Sequence, residues 1–418
     1  MRVYELLEMA PSAFFFFGIL FSSLSCTGYA QPCRVKTGIE ILAQEKGAIL
    51  KGKRVGLITN LTGVDSRMRS SIDILYAMPE VRLVALFSPE HGIRSGVQGS
   101  VKDNRDTKTG LPIHSLYGAT RRPTNVMLSE IDILIFDIQD IGSRSYTYIS
   151  TMKLCMEEAA KRKISFIVLD RPNPLNGVLV DGPMLEDGFE SFVGIAKIPY
   201  IHGMTVGELA YFFNEEFRLN CDLTVIEMQG WNRSMTWGDT GLPWIPTSPH
   251  IPEPDTPWFY PVTGMLGELS LVNIGVGYTM PFKLVAAPWI DAEIFSDFLN
   301  RKNLPGVWFQ PVSYTPYYGS MKDKLCHGCR IMIIDFSLFR PATTGLHIMT
   351  ALRELYPRQF LLSSSQKSRF DLFTKVAGSN RVKDMIERPE SPEDLYARQE
   401  NALKGFLKKR ERSLLYRE

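Results

Sequence analysis

The sequence predicts an α/β protein: a Rossmann-like, doubly wound, mainly parallel sheet domain followed by a second, smaller α+β domain. Short, near-continuous runs of Val, Ile, Leu and Phe recur through the first half, as strands buried on both faces of a parallel sheet require. Helical stretches separate these runs with short connections, the β-α-β alternation of doubly wound sheets. From Trp231 the texture changes to a segment dense in Trp, Pro and Gly, which reads as the boundary to a different unit.

The elements follow in order. The apolar stretch from Ala13 to Leu24, behind Arg2, has the length of a signal-peptide core and is short for a membrane span. Gly28-Tyr29-Ala30 resembles a small-x-small cleavage site, and Ser23-Leu24-Ser25-Cys26 loosely resembles a lipobox. The expectation is export to the periplasm or the medium, with residues 1–30 as signal peptide and membrane contact only if Cys26 is lipidated. The catalytic domain is then expected over 36–235 and an auxiliary domain over 236–418. Arg54–Thr59 reads as the first strand, Ser66–Met78 as a helix and Val81–Phe87 as the next strand. A long loop rich in Gly, Lys, Arg and Asp runs to Tyr117, and a loop of that length in a compact domain is usually functional or disordered. Ile131–Phe136, a helix over Thr147–Arg162 and Ile164–Leu169 continue the alternation. Residues 194–204 read as a strand ending at His202-Gly203. Thr205 and Glu208 form a capping-box pattern before a helix to about Phe217, and Leu223–Met228 reads as a strand. The segment from Trp231 to Pro261 is expected to be neither regular helix nor central strand. Beyond it, Val307–Tyr314 and Arg330–Phe336 read as strands, and residues 341–356 and 392–412 as helices.

A formal net charge of +2 on 418 residues offers no field for a nucleic acid partner. Among the six cysteines, Cys326-His327-Gly328-Cys329 is a single C-x-x-C with no second ligand pair nearby, which favours packing over zinc. No dinucleotide, P-loop, zincin or nucleophile-elbow motif stands in the right place, so neither a cofactor nor a metal is expected.

Ligands of parallel sheets bind outside the carboxyl ends of the strands. Those ends carry Asn60, Glu90-His91, Asp137-Ile138-Gln139-Asp140 and Asp170-Arg171-Pro172-Asn173, with His202 at a further strand end. A carboxyl such as Glu90, held in a partly dry cleft, can act as a general acid. Asp137 and Gln139 share one face of an extended segment and Asp140 the other, so the two carboxylates need not pair. Arg144 could pair with Asp140 or bind a substrate carboxylate in bidentate fashion. Asp170-Arg171 could equally be an ion pair that holds its proline-stiffened loop. Trp231, Trp237, Trp244 and Trp258 could stack on sugar rings or pack a linker. A different class is also open: Glu90, His91, Asp137, Asp140 and His202 as ligands of a divalent metal in a phosphoester or amide hydrolase. A non-catalytic sugar binder is a third.

The ordered segments Gly56-Leu57-Ile58-Thr59-Asn60, Leu86-Phe87-Ser88-Pro89-Glu90-His91-Gly92, Ser115-Leu116-Tyr117-Gly118, Phe136-Asp137-Ile138-Gln139-Asp140-Ile141-Gly142 with Arg144, Tyr146-Thr147-Tyr148, Leu169-Asp170-Arg171-Pro172-Asn173-Pro174, His202-Gly203-Met204-Thr205-Val206-Gly207-Glu208-Leu209 and Thr240-Gly241-Leu242-Pro243-Trp244 resemble the exo-β-N-acetylmuramidase family, long classed as a domain of unknown function. One departure is Gly275-Val276-Gly277-Tyr278-Thr279, where members carry Gly-Arg-Gly-Thr. The resemblance implies hydrolysis of the non-reducing terminal N-acetylmuramic acid (MurNAc) from peptidoglycan-derived saccharides such as MurNAc-GlcNAc, in a cleft between two domains. It implies Glu90 as general acid/base, with Asp137, Asp140 or Asp170 as the second group and His91 beside them. Alternatively the substrate's own 2-acetamido group attacks the anomeric carbon and an Asp orients it. Asn60, Gln139, Tyr146, Asn173, His202 and Tyr278 are the implied substrate contacts. MurNAc carries a lactyl carboxylate, for which Arg144 is the first candidate and Arg171 the second.

Overall fold

The computed structural model describes residues 35–94, 104–118 and 120–417; the expected leader, with both of its possible endings, lies outside them. The strands are β1 (Arg54–Thr59), β2 (Arg82–Ser88), β3 (Asn104–Arg105), β4 (Pro112–Ser115), β5 (Ile133–Asp137), β6 (Ser165–Leu169), β7 (Asp181–Met184), β8 (Pro199–Ile201), β9 (Leu223–Ile226), β10 (Leu284–Ala287), β11 (Val307–Tyr314) and β12 (Cys326–Ile333). Seven of them form one sheet in the order β3-β4-β2-β1-β5-β6-β9. All neighbours pair in parallel except β3, which lies antiparallel on the β4 edge. The strand order reverses between β1 and β5, and a doubly wound sheet opens its ligand crevice at that switch point.

The apolar runs alternate between the two faces of this sheet. Leu134, Phe136, Phe166 and Val168 join the larger core with the helices Tyr148–Arg162 and Val206–Glu216. Ile133, Ile135, Ile167 and Leu169 face a second core under Ile39, Ile72 and Leu75. Both faces are therefore dry, which is why the runs read as continuous rather than alternating. The expected capping box is present: the Thr205 amide donates to Glu208 Oε2 at 3.0 Å and the Glu208 amide to Thr205 Oγ1 at 3.2 Å.

Three elements differ from expectation. The long loop contains β4, whose four residues include His114 and Ser115 and so carry no apolar run. Residues 194–204 yield only the short β8, paired with β7 outside the main sheet. The Trp/Pro segment holds a helix, Thr256–Glu268, with Pro257 in its first turn and Pro261 inside. Proline costs nothing in the first turn, where the N–H has no partner, and roughly 3 kcal/mol inside a helix. Here Trp258, Phe259, Val262, Met265 and Leu266 are all buried. At roughly 1.5–3 kcal/mol for each such side chain, burial outweighs the broken bond.

In the second half β10-β12-β11 form an antiparallel sheet, with the helices Ala292–Arg301 and Pro341–Leu355 packed nearby. Strand β12 begins earlier than read, so the C-x-x-C lies within it; Cys326 and Cys329 are buried free thiols, like Cys155 and Cys221.

Arg144 ties distant parts of the chain together. Its side chain is fully buried. Nη1 donates to the carbonyls of Pro183 and Ile198, both at 2.7 Å, and Nη2 to those of Val376 at 3.0 Å and Ala377 at 2.9 Å. Burial lowers its pKa to about 10, which still leaves it charged at neutral pH. Replacing Arg144 with Met takes a charged donor from four carbonyls, of which that of Ile198 keeps the Leu185 amide at 3.3 Å. The expected loss is at least about 3 kcal/mol of unfolding free energy, read by urea denaturation. A loss under about 1 kcal/mol would show that the carbonyls find other donors.

Candidate active site

Glu90 stands just beyond the carboxyl end of β2, in the turn Pro89-Glu90-His91-Gly92. His91 there takes the left-handed conformation, with φ of 73°. A non-glycine residue in that region is uncommon and recurs where a site dictates backbone direction. Glu90 is half-buried, and the Thr147 hydroxyl donates to its Oε2 at 2.8 Å. Thr147 is the residue before the helix Tyr148–Arg162, yet its hydroxyl does not cap that helix. The carboxylate thus sits at a helix N-terminus, where the backbone dipole favours negative charge. Tyr117, two residues past β4, adjoins Glu90 as well; burial, and then Glu90, pushes the phenol up to about 12.

Asp140 follows β5. Its Oδ2 accepts the Gly142 amide at 2.7 Å, and its Oδ1 is buried without a partner. Burial pushes this carboxyl up to about 7. Gly142 has a φ of +82°, and a Cβ there would lie 2.3 Å from Asn173 Oδ1, so this turn requires glycine. Two phenols close the space. The Tyr146 hydroxyl donates to Thr247 Oγ1 at 2.8 Å and the Tyr148 hydroxyl to the Thr247 carbonyl at 2.5 Å. Burial, then Tyr146, and then the charges of Glu90 and Asp140 raise the Tyr148 phenol well above its ordinary pKa. On the far side, His250 stacks on Tyr318 and its Nε2 lies 3.1 Å from the Tyr318 hydroxyl. Burial, and then the charge of His91, lowers the His250 pKa.

The other expected site residues are employed differently. Asp170 is fully buried with both oxygens taken: Oδ1 by the amides of Arg171 at 2.9 Å and Gly207 at 2.8 Å, Oδ2 by the hydroxyls of Thr205 at 2.7 Å and Tyr416 at 2.6 Å. It has no oxygen left for substrate and serves to fasten the helix Val206–Glu216 and the C-terminal tail. Asp137 Oδ1 accepts Arg171 Nε at 2.6 Å, and Arg171 Nη2 donates to the Val64 carbonyl at 2.9 Å. Asn60 Oδ1 takes the amide and hydroxyl of Thr62, at 2.9 and 2.6 Å. Asn173 bridges the Leu175 amide and the Met204 carbonyl, both at 2.9 Å. His202 is sealed in the interior, where it accepts the Met204 amide on Nδ1 at 3.2 Å, and burial lowers its pKa to about 3. Both terminal nitrogens of Arg144 are spent on interior carbonyls and its Nε is buried, so it presents no free edge to a substrate carboxylate. Gln139 donates to the carbonyls of Asp140 at 2.8 Å and Pro172 at 2.7 Å. With Arg171, Thr62 and Trp237 it lines a pocket of only about 10 Å³, room for one water and not a sugar. Tyr278 stacks with Tyr314 and Tyr317, at 4.7 and 5.8 Å between ring centres.

The arrangement therefore brings together Glu90, His91, Asp140 and Tyr146. It adds Tyr117, Thr147, Tyr148, Thr247, His250 and Tyr318, which strand-end reasoning does not single out. Tyr117 and Tyr148 were visible in the matched segments; nothing local marks Thr247, His250 or Tyr318.

Comparison with known proteins is consistent along the chain. Residues 55–255 match the N-terminal part, and residues 258–416 the C-terminal part, of the family described as exo-beta-N-acetylmuramidase NamZ. The peptidoglycan beta-N-acetylmuramidase NamZ of Bacillus subtilis (strain 168) is 43% identical over 389 residues, 93% of this chain and 92% of that protein. A DUF1343 family protein of Bacteroides fragilis NCTC 9343 superposes with a TM-score of 0.88 at 46% identity, over 92% of this chain and 100% of its own. A second one from that organism gives 0.71 at 30% identity, over 92% and 99%.

The raised Asp140 pKa has a consequence for stability. An aspartate ordinarily titrates near ~3.9, and in the fold this one does so at about 7. Below ~4 both folded and unfolded chains hold the proton. As pH rises toward 7 the unfolded chain releases it first, so stability falls, and the loss is complete above the folded pKa. Asp140→Asn removes this titration. Its melting temperature should decline less steeply than the parent's between about pH 5 and about pH 8, followed by circular dichroism. Parallel curves would show that Asp140 titrates normally.

Proposed function

This chain is a member of the exo-β-N-acetylmuramidase NamZ family, and we propose that it is an exo-acting glycosidase that releases the non-reducing terminal MurNAc from peptidoglycan fragments such as MurNAc-GlcNAc. The observation that carries this reading is the pairing of two differently housed carboxyls at the switch-point end of one sheet. Glu90 is half-exposed, hydrogen-bonded by Thr147 and able to meet the glycosidic oxygen. Asp140 is nearly dry, with one oxygen anchored and the other buried without a partner.

In this mechanism Glu90 protonates the departing glycosidic oxygen. The carbonyl oxygen of the substrate's 2-acetamido group attacks the anomeric carbon as that bond breaks, and Asp140 Oδ1 accepts the acetamido N–H and holds it in line. Water then adds at the anomeric carbon, giving its proton to the Glu90 carboxylate, and the acetamido group is restored. Stereochemistry at the anomeric carbon is retained. Tyr146 and Tyr148, fixed by Thr247, wall the reacting centre from bulk water.

The metal-dependent alternative lacks its ligand set. Asp137 is committed to Arg171 and His202 is sealed beside Met204. Among the described residues no three His, Cys, Asp or Glu side chains converge. A silent sugar binder is separated by turnover of a chromogenic MurNAc glycoside.

Glu90→Gln should fold normally and lose at least ~10²-fold in kcat on MurNAc-GlcNAc, the scale of a general acid. Near-parent activity in a folded variant would remove Glu90 from this role. Export, to the periplasm or the medium, fits a substrate derived from the cell wall, and the Ala13–Leu24 stretch motivates it. N-terminal mass spectrometry should find the chain starting after Ala30 or lipidated at Cys26. A cytoplasmic protein retaining Met1 would contradict export.

A further inference from the structure

An enzyme selective for MurNAc must recognise the lactyl ether, the only difference from N-acetylglucosamine: one carboxylate and one methyl carried on the exocyclic oxygen at C3. Arg144 and Arg171 are spent on carbonyls and on Asp137. From the geometry on the Glu90 side of the crevice we infer that Arg121 binds the lactyl carboxylate and that Phe192 receives the lactyl methyl. This rests on the glycosidase reading above and adds the residue that sets its sugar specificity.

Arg121 is exposed, and its guanidinium lies 4.3 Å from the centre of the Phe192 ring. Phe192 in turn lies 6.2 Å, ring to ring, from Tyr117, the phenol that adjoins Glu90. Arg121 also acts electrostatically on Tyr117. A continuous layer therefore runs Glu90, Tyr117, Phe192, Arg121. Among the described residues Arg121 has no carboxylate partner, whereas its neighbour Arg122 is paired with Glu157 and Glu158. The two side chains border an open depression of about 560 Å³, with Phe192, Leu154 and Ile195 as its apolar part. A guanidinium resting on an aromatic face is weakly hydrated and presents its planar edge of donors, the form that matches a carboxylate. Phe192, Leu154 and Ile195 supply the apolar contact that a methyl beside that carboxylate needs. The depression combines the two chemical features of the lactyl group, and its Phe192 ring lies against Tyr117, the phenol that adjoins the carboxyl that would cleave the sugar.

The test compares free MurNAc with its neutral lactyl N-methylamide as competitive inhibitors of chromogenic MurNAc glycoside hydrolysis, in the parent, Arg121→Ala and Arg121→Lys. The parent should bind MurNAc at least roughly tenfold more tightly than the amide, as a charge-assisted bond implies. Arg121→Ala should bind both alike, with KM for the glycoside raised by a similar factor and kcat little changed. Arg121→Lys should recover part of the difference. A parent that hydrolyses the glycoside while Arg121→Ala keeps the full discrimination overturns the assignment of Arg121 and leaves the glycosidase reading standing. A parent that hydrolyses no MurNAc glycoside overturns both.

Discussion

The buried guanidinium of Arg144 fixes the geometry on which the site depends. It gathers carbonyls from the β7–β8 region and from the end of the helix Lys367–Ala377. Its own amide donates to the Tyr200 carbonyl at 2.8 Å. The residues on its C-terminal side then have little freedom: Ser145 meets the hydroxyls of Tyr200 and Tyr260, and Tyr146, Thr147 and Tyr148 turn toward Thr247 and Glu90. A positive charge with no carboxylate partner is costly to bury, and here carbonyl dipoles take the place of a counter-ion. The segment that holds the Glu90 carboxyl through Thr147 is thereby linked to residues more than two hundred positions away in sequence.

Three aspartates at neighbouring strand ends show how one side chain acquires three functions. Asp137 neutralises Arg171 through one oxygen, and Asp170 collects four donors and closes the C-terminal tail onto the sheet. Asp140 has one oxygen on the Gly142 amide, one without a partner and, among the described residues, no cation beside it. The difference lies in the count of donors that the fold aims at each carboxyl. A fully satisfied carboxylate is a structural element, and a dry one with an open oxygen retains chemical capacity. Of the two carboxyls proposed to act on substrate, Glu90 is half-exposed and Asp140 combines an unpartnered oxygen with a pKa raised to about 7; Asp137 also keeps its Oδ2 unpartnered, but beside the Arg171 guanidinium.

The second half of the chain contributes more than support. Thr247 positions both phenols, and His250 with Tyr318 faces His91. Gly277 has a φ of +90°, and a Cβ there would lie 1.9 Å from the Tyr318 carbonyl oxygen, so glycine lets the two loops pass at close range. Tyr278, beside it, packs within the aromatic stack that carries Tyr317.

The sequence by itself determined the parallel sheet, most of its strands, the capped helix after Thr205 and the place of the Glu90 carboxyl at a strand end. These are local matters: an apolar run buried on both faces, a hydroxyl three residues before a carboxylate, a carboxyl where a strand must stop. It also determined the family, through the order of its motifs. Tertiary structure alone decided which strand-end residues are free to act. Arg144, Asp170 and His202 look as capable in sequence as Glu90 and Asp140; Arg144 and Asp170 are taken up by partners that fold against them from elsewhere, such as Val376 and Tyr416, and His202 is buried with its Nδ1 on the Met204 amide. It also decided that Pro261 lies inside a helix and that β4 joins the sheet, because burial and strand pairing outweigh what four or five residues prefer locally. Burial and hydrogen-bond partners are set by long-range contacts, so a sequence shows which groups can react and the fold shows which of them it encloses and ties down.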